Sequence, residues 1–140
     1  MIVIYTDGGS RGNPGPAGYG VRIESEEGAL LTELRAPLGL ATNNVAEYHG
    51  LLAGLEWAAA NGHPRVRVRS DSELLVKQMR GEYRVKNPGL QPLYLRARGL
   101  VVRIGQVTFE HVRREMNTEA DRLANLAMDE ASEGGINGVR

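Results

Sequence analysis

The chain opens with Ile2-Val3-Ile4-Tyr5-Thr6-Asp7, and Gly8-Gly9-Ser10-Arg11-Gly12-Asn13-Pro14-Gly15-Pro16 follows at once. The residues before Asp7 are β-branched or aromatic, which is typical of a buried strand, and we expect that strand to end at Asp7. The glycines and prolines after it predict a turn region. An aspartate therefore stands where a buried strand gives way to a turn.

Two further strands and a long helix are predicted after this segment. Residues 18–24 and 29–36 lie on either side of the turn Glu26-Glu27-Gly28, so the first three strands should form an antiparallel meander. Thr42-Asn43-Asn44 supplies N-cap chemistry for a helix over 45–60, which should end at Asn61-Gly62. The residues expected on the core side of this helix are Leu51, Leu52, Leu55 and Ala59.

The rest of the chain alternates helices and strands. The predicted elements are a strand at 66–70, helices at 72–80 and 88–102, a strand at 107–112 and a helix at 117–131. This order, βββαβααβα, predicts an α/β fold with a mixed five-stranded sheet, in which three antiparallel strands precede parallel strands and helices pack against them. Residues 1–131 should form one domain and the glycine-rich residues 132–140 a flexible tail.

Composition indicates an ordinary globular protein and excludes several classes. The chain has 140 residues, of which 41% are hydrophobic and 24% charged, values that suit a buried core. It has no cysteine, so disulfides and thiolate metal sites are excluded. No apolar run has membrane-spanning length and no basic segment precedes Asp7, so we predict no membrane partner and expect a cytoplasmic monomer.

Charge is distributed unevenly along a chain whose formal net charge is zero. Residues 63–116 hold 12 basic and 5 acidic side chains, whereas the segments before and after them are net acidic. A basic middle segment suits a modest nucleic-acid contact surface. A solvated face whose charges average out explains the charge pattern, taken alone, at least as well.

Four acidic residues occupy positions that favour a shared site. Asp7 and Asp71 each follow a predicted strand, at the sheet edge where ligand crevices lie in open α/β sheets. Glu47 is predicted in the first turn of its helix on the core-facing row, and Asp121 adjoins the apolar stripe of the last helix. Buried carboxylates repel one another, and a divalent cation would compensate them. Each acid alone also has a structural explanation, as a turn former or as an acid near a helix N-terminus.

These acids lie within longer motifs. The motifs are Thr6-Asp7-Gly8-Gly9-Ser10, Asn13-Pro14-Gly15, Gly18-Tyr19-Gly20, Thr42-Asn43-Asn44-Val45-Ala46-Glu47, Ser70-Asp71-Ser72 and Asn117-Thr118-Glu119-Ala120-Asp121-Arg122-Leu123-Ala124. In this order they resemble type 1 ribonuclease H over nearly all of residues 1–131. The resemblance implies the ribonuclease H-like fold and an endonuclease that hydrolyses the RNA strand of an RNA–DNA hybrid, leaving 5′-phosphate and 3′-hydroxyl ends.

The resemblance also implies roles for individual residues. The catalytic acids, which would bind two Mg²⁺ ions with Mn²⁺ able to substitute, would be Asp7, Glu47, Asp71 and Asp121; such hard oxygen donors suit Mg²⁺. The hybrid duplex would be the partner. Its RNA 2′-hydroxyl would be contacted by Gly8, Gly9, Ser10 and Asn43, together with Glu47. Its DNA strand would be contacted by Asn13, Thr42 and Asn44, a role compatible with turn and cap chemistry.

Two features depart from the family pattern. Many members carry a histidine on a loop just before the last aspartate, whereas here His111 stands at a predicted strand end and the loop has none. This short arginine-bearing loop resembles archaeal and actinobacterial members, and Arg114 or Glu115 is expected to take over part of its role. The lysine-rich handle of other members is also missing. A reduced basic patch of Lys77, Arg80, Arg84 and Lys86 would replace it, which predicts weaker and less salt-dependent hybrid binding.

Three other functions would suit parts of this sequence. A nucleotide-binding module is disfavoured because Gly9, Gly12 and Gly15 lack the dinucleotide spacing and a strand, not a helix, is predicted to follow them. A hybrid-binding scaffold without activity would fit the same fold, but all four acids are present. Another nuclease of the same superfamily, such as a junction resolvase or transposase core, would cut a DNA–DNA duplex.

Overall fold

The computed structural model describes the backbone of residues 1–139 and the side chains of residues 1–133. Its strands are β1 (Ile2–Ser10), β2 (Gly15–Ser25), β3 (Leu30–Ala41), β4 (Arg65–Ser70) and β5 (Gln106–His111). Its helices are α1 (Asn43–Ala60), α2 (Glu73–Met79), α3 (Gln91–Ile104) and α4 (Thr118–Val139), and a 3-10 turn spans Arg114–Met116. This is the predicted order of elements.

The strands form one sheet of order β3-β2-β1-β4-β5. β1 pairs antiparallel with β2, and β2 pairs antiparallel with β3. β4 pairs parallel with β1, and β5 pairs parallel with β4. The predicted mixed sheet, with three antiparallel strands followed by parallel ones, is therefore confirmed.

Helices cover the two faces of the sheet unequally. α1 packs against β1 and β2 on one face, with α3 against it, and the core between them includes Ile4, Val21, Leu55 and Val68, all with no exposed surface. α4 covers the other face, where it packs against β1, β2 and β3. Burial of these apolar faces provides the main stabilisation of the fold. The β4–β5 half of the sheet lies beyond the strands that α4 covers.

β1 is longer than the sequence predicted. The glycines after Asp7 were expected in a turn, but Gly8 to Ser10 continue the strand, pairing with Tyr19, Gly18 and Ala17 of β2. Backbone hydrogen bonds to an antiparallel neighbour override the turn preference of glycine, because strand propensity depends strongly on context. β2 and β3 are likewise longer than predicted.

Helix boundaries also differ in detail. Thr42 caps α1, its hydroxyl accepting from the Val45 N–H at 3.3 Å, so α1 begins at Asn43 and Glu47 lies in its second turn, not its first. Ala59 is only partly buried. α3 begins three residues later than predicted, and α4 continues past Ala131. The tail predicted at 132–140 includes residues that lie outside the described side chains, so its flexibility stays a prediction.

Among the described helices, none combines the length and the apolar composition that crossing a membrane requires.

Candidate active site

The site begins where β1 and β4 stop pairing. Their parallel register ends with Thr6 opposite Ser70, so the next residues are Asp7, which is within β1, and Asp71, which directly follows β4. Beyond this point β1 continues beside β2, while the chain after β4 turns into α2, whose N-cap Ser72 accepts from the Leu75 N–H at 3.3 Å. The divergence of the two strands opens a crevice between the two aspartates, as expected at the carboxyl ends of parallel strands.

Glu47 reaches this crevice because α1 approaches β1 closely at Gly8. A Cβ atom on Gly8 would overlap the main chain of Ala46 and Glu47, so only glycine permits this contact. The close approach brings the second turn of α1, and with it Glu47, next to the end of β1.

Asp121 arrives from the opposite face of the sheet. It lies in the first turn of α4, where a carboxylate is favoured by the helix dipole. The Asn117 side chain, which is 1% exposed, donates to the main-chain oxygen of Thr6 at 3.0 Å and ties the start of α4 to β1. The Asp121 carboxyl lies close enough to Asp7 to contribute to the raised pKa of Asp7.

The four acids line one open cavity of about 450 Å³. Its described lining residues are Asp7, Gly8, Gly9, Ser10, Asn43, Glu47, Asp71, Ser72, Arg114, Asp121, Asn125 and Met128. Four different elements or their flanks therefore contribute one carboxylate each to a shared, solvent-accessible space.

Burial and mutual repulsion disfavour the charged forms of these acids. Burial, then the charge of Asp71 and the hydrogen bond with Asp121, raises the pKa of Asp7 to about 8, although the Gly8 N–H donates to it at 2.9 Å and opposes the rise. Burial likewise raises the pKa of Glu47 to about 7, with Asp71 adding to the effect and the Ser72 side chain opposing it. These are the shifts expected where carboxyl groups share a partly desolvated site.

Asp71 experiences opposing influences. Burial raises its pKa, while hydrogen bonding to its own main chain, the charge of Arg114 and hydrogen bonding to Asn117 lower it. Arg114 is 81% exposed and its Nη2 lies 3.9 Å from Asp121 Oδ1. This arginine is therefore an exposed positive charge at the rim of the cavity.

The donor set fits a hard divalent cation. All four candidate ligands are carboxylates, and burial together with the nearby Asp71 and Asp121 disfavours the charged form of Asp7, which a bound cation would offset. Within the described residues no three such side chains are already drawn together closely enough to enclose an ion. Small side-chain rotations would therefore have to accompany metal binding.

Some of the residues predicted to contact substrate line the cavity, and others lie outside it. Gly8, Gly9, Ser10 and Asn43 line the cavity. Asn43 Oδ1 accepts from the Ser10 main-chain N–H at 2.7 Å and from its hydroxyl at 3.3 Å. This arrangement orients the amide and leaves its Nδ2 group as the donor available to a ligand.

Asn13, Thr42, Asn44 and Glu115 do not line the cavity. Asn13 Oδ1 accepts from the Asn43 N–H at 3.1 Å, so it supports the start of α1 from the adjoining turn. Thr42 is the cap of the same helix, and Asn44 is exposed beside it. Glu115 lies exposed in the 3-10 turn, and only its neighbour Arg114 reaches the acids.

Two of the four residues of the predicted basic patch are engaged in internal contacts. Lys77 pairs with Glu73 at 2.7 Å and lies 4.9 Å over the Tyr83 ring, while Arg80 donates to the main-chain oxygen of Phe109 at 2.9 Å. Arg84 and Lys86 are exposed.

Four residues of the site region were not predicted to have a role there. Ser72 and Asn125 line the cavity, and Met128 packs where it would touch a Cβ on Gly9. Spacing alone could have suggested two of them, since Asn125 and Met128 lie four and seven residues after Asp121 on the same side of α4. Nothing in the local sequence indicated that the Asn117 side chain is buried and connects the start of α4 to β1.

Comparison with known proteins identifies the family. A family model described as reverse transcriptase-like matches residues 5–127. The chain is 43% identical over 130 residues to ribonuclease HI of Halobacterium salinarum, an alignment that covers 93% of this chain and 65% of that protein. The chain thus belongs to the type 1 ribonuclease H family.

Particular relatives place it within that family. It is 49% identical over 133 residues to the bifunctional protein Rv2228c of Mycobacterium tuberculosis, covering 94% of this chain and 36% of that protein. The chain therefore spans little more than a third of this relative. The structure of the N-terminal RNase H domain of that protein is similar to it with a TM-score of 0.93 and 48% identity, covering 96% of this chain and 97% of that one.

A second solved structure includes nucleic acid. LC11-RNase H1 in complex with an RNA/DNA hybrid is similar with a TM-score of 0.89 and 46% identity, covering 94% of this chain and 99% of that one.

Proposed function

We propose that this chain is an endonuclease that hydrolyses the RNA strand of RNA–DNA hybrids. The observation that carries the proposal is the convergence of Asp7, Glu47, Asp71 and Asp121 on one cavity. The family membership and the hybrid-bound relative support the choice of substrate.

The four carboxylates would hold two Mg²⁺ ions, with Mn²⁺ able to substitute. When bound, such ions activate a water for in-line attack on a phosphodiester and stabilise the leaving 3′-oxygen, which gives 5′-phosphate and 3′-hydroxyl ends. Asp7, whose charged form burial and Asp71 disfavour, would be one of the ligands that hold these ions. Since the folded chain keeps Asp7 and Glu47 partly protonated near neutral pH, metal binding would release protons.

Selection of RNA would depend on the cavity wall formed by β1 and α1. Gly8 and Gly9 line the cavity, and Asn43 offers an oriented amide donor beside them. A 2′-hydroxyl can both accept and donate hydrogen bonds, and it distinguishes RNA from DNA at a given position. Asn13, Thr42 and Asn44, on the outer side of the same wall, would contact the DNA strand.

Arg114 would act at the rim. Its guanidinium faces Asp121 and, through charge, Asp71, so it can hold a substrate or product phosphate while offsetting the negative potential of the acids. Glu115 is exposed and does not line the cavity, so we assign it no such role. A single chain supplies all four acids of the cavity, so the protein would act as a monomer.

The test is cleavage of an end-labelled RNA–DNA hybrid with Mg²⁺ by the wild type, Asp71→Asn and Glu56→Gln. Glu56 is an exposed acid paired with Arg96 at 2.6 Å, remote from the cavity, and provides a charge-matched control. We expect the wild type and Glu56→Gln to cut only the RNA strand, and Asp71→Asn to lose at least about 100-fold in rate.

Single-stranded RNA, an RNA duplex and a DNA duplex complete the experiment. Cleavage of the DNA duplex would favour another nuclease of the superfamily. Hybrid binding without cleavage in either Mg²⁺ or Mn²⁺ would favour the scaffold function and would refute the proposal.

A further inference from the structure

Three arginines alternate along β4 and share one face of the sheet. Arg65, Arg67 and Arg69 are separated by Val66 and Val68, which are 1% and 0% exposed and point into the core beneath α1. Because side chains alternate along a strand, the three guanidinium groups extend from the opposite face, roughly 7 Å apart along the strand. We call these three residues the arginine stripe.

This face of β4 and β5 has little cover among the described residues. α4 packs on the same side of the sheet, but against β1, β2 and β3. The partners of the stripe on β5, by register, are Gln106, Thr108 and Glu110. The stripe therefore lies on an open sheet face and not under a helix.

The stripe carries more positive charge than its neighbours neutralise. Glu110 is the acid that meets it, 3.0 Å from Arg67 Nε and 3.5 Å from Arg69 Nε. Arg65, at the far end, is exposed. Glu110 pairs with two of the three guanidinium groups, so the stripe keeps a positive charge, and an anion is the ligand that this surface favours.

The acids farther across the same face belong to a separate network. Arg22 pairs with Glu24 at 2.6 Å, and Arg122 pairs with Glu33 at 3.1 Å. Glu119 meets both of these arginines, so this network on β2, β3 and α4 holds one more acid than arginines. It bounds the positive surface on that side, and the stripe with Glu110 still carries the larger, positive net charge.

An aromatic ring adjoins the stripe. Arg69 Nη1 donates to the Tyr5 hydroxyl at 2.7 Å, and its guanidinium lies 5.5 Å from the centre of the Tyr5 ring. A row of positive charges with an aromatic side chain on an open sheet is the combination that binds single-stranded nucleic acid without sequence preference.

The stripe leads toward the candidate active site but does not enter its cavity. Arg69 lies on β4, two residues before Asp71, which directly follows the strand. The segment from Arg113 to Asn117 crosses the end of the sheet between the stripe and the cavity. It is anchored by two hydrogen bonds: the Val112 N–H donates to the Ser70 main-chain oxygen at 2.9 Å, and the Asn117 side chain donates to the Thr6 main-chain oxygen. A rigid duplex in the cavity cannot also lie along β4, whereas a flexible single strand that continues from it can cross this short segment.

We propose that the arginine stripe binds the phosphate backbone of a single-stranded nucleic-acid segment that extends from the hybrid held in the cavity. This inference rests on the proposed function for the source of the strand, but the binding surface itself is a separate site. It would enlarge the contact area of a chain whose Lys77 and Arg80 are already engaged internally.

The test compares binding of a blunt hybrid with binding of the same hybrid carrying a single-stranded extension at either end. Both affinities are measured by fluorescence anisotropy in EDTA, which prevents cleavage. Their ratio gives the contribution of the extension to binding. We expect the extension to tighten wild-type binding. The double variant Arg65→Gln/Arg67→Gln should lose that gain, about 2- to 10-fold, and the salt slope for the extended hybrid should fall by about 1 to 1.5.

Two further variants sharpen the test. Glu110→Gln removes the negative charge beside the stripe. It should increase the affinity gained from the extension, the opposite of the effect expected for Arg65→Gln/Arg67→Gln. Arg96→Gln/Arg103→Gln removes the same charge from exposed positions on α3, and should leave the gain as in the wild type. Urea unfolding checks that every variant is folded.

An equal gain in the wild type and the stripe variant would overturn the proposal. If the extension gives no gain but poly-glutamate binds the wild type and not the stripe variant, the surface takes an acidic polypeptide, and the proposal is wrong. A single-stranded oligonucleotide alone, measured in parallel, reports on the stripe even if the wild type fails to cut the blunt hybrid with Mg²⁺. The two failures are therefore distinguishable.

Discussion

Asn117 and Thr6 are joined by a buried hydrogen bond, in which the Asn117 side-chain amide donates to the Thr6 main-chain oxygen at 3.0 Å. The bond connects residues that are 111 positions apart in the sequence. Asp7 directly follows Thr6, and Asp121 lies one helical turn after Asn117. The hydrogen bond therefore holds Asp7 and Asp121, the first and last of the four acids, near each other.

Asn117→Ala should therefore reduce both stability and activity. The substitution leaves the Thr6 oxygen buried without its donor, which should lower the free energy of unfolding by about 1–3 kcal/mol. Urea denaturation measures this loss, and hybrid cleavage under conditions where the variant is folded should show a reduced kcat. Asn61→Ala is the control, because Asn61 makes a similar bond to Trp57 at 2.9 Å on the surface and should cost less than about 0.5 kcal/mol. Equal losses in the two variants would contradict the argument.

Asp7→Asn should abolish cleavage while stabilising the metal-free protein. The substitution removes a carboxylate that burial and Asp71 disfavour in its charged form, so thermal unfolding in EDTA near pH 8 should show a gain on the order of 1–3 kcal/mol. Mg²⁺ should raise the Tm of the wild type and have little effect on the variant. A variant that is less stable than the wild type in EDTA would show that Asp7 has a structural role instead.

Stability of the metal-free protein should fall as pH rises from about 4 to about 8. The pKa of Asp7 is raised to about 8 and that of Glu47 to about 7 from ordinary values of 3.8 and 4.5. Over this window the folded state binds more protons than the unfolded state, so the free energy of unfolding decreases with pH by at most about 1.4 kcal/mol per unit for each proton.

Urea midpoints across this pH range in EDTA measure the slope. Asp7→Asn should flatten it, and Mg²⁺ should do the same because a cation favours the ionised acids. A wild type that grows more stable from pH 4 to 8 in EDTA would contradict the prediction.

Gly20→Ala should be far more damaging than an alanine at an open position. A Cβ on Gly20 would overlap the main chain of α4 at Ala120 and Ala124, and the rigid neighbours leave it no space. We expect a loss of at least about 3 kcal/mol in urea unfolding. Gly99→Ala is the matched control, since nothing lies within 4 Å of a Cβ there and the residue is in α3. It should stabilise by up to about 1 kcal/mol. Similar effects at the two positions would show that α4 can move away from β2.

Much of the site could be predicted because its residues lie at positions marked by local patterns. Asp7 and Asp71 follow runs of β-branched residues, and Thr42 provides recognisable cap chemistry before Glu47. The resemblance to a family then united acids that spacing alone could only place separately. Arg114 was named with Glu115, and the structure brings only Arg114 to the cavity.

Local patterns failed where a distant segment determines the outcome. Gly8 to Ser10 form a strand because β2 pairs with them, although their composition favours a turn. Asn117, Asn125 and Met128 belong to the site region because Asn117 anchors the start of α4 to β1 and α4 crosses β1 and β2; the spacing from Asp121 places Asn125 and Met128 on its side of the helix but does not show that this side faces the end of β1.

The sequence by itself determined the order of the elements and the alternation that puts Arg65, Arg67 and Arg69 on one side of β4, because both follow from the periodicity of neighbouring residues. Only the tertiary structure decided that this side is left open, since that depends on how far α4 reaches across the sheet. The same packing determined that four acids from separate elements share one cavity. Contacts between residues distant in sequence are set by the burial of whole faces, and no short segment contains that information.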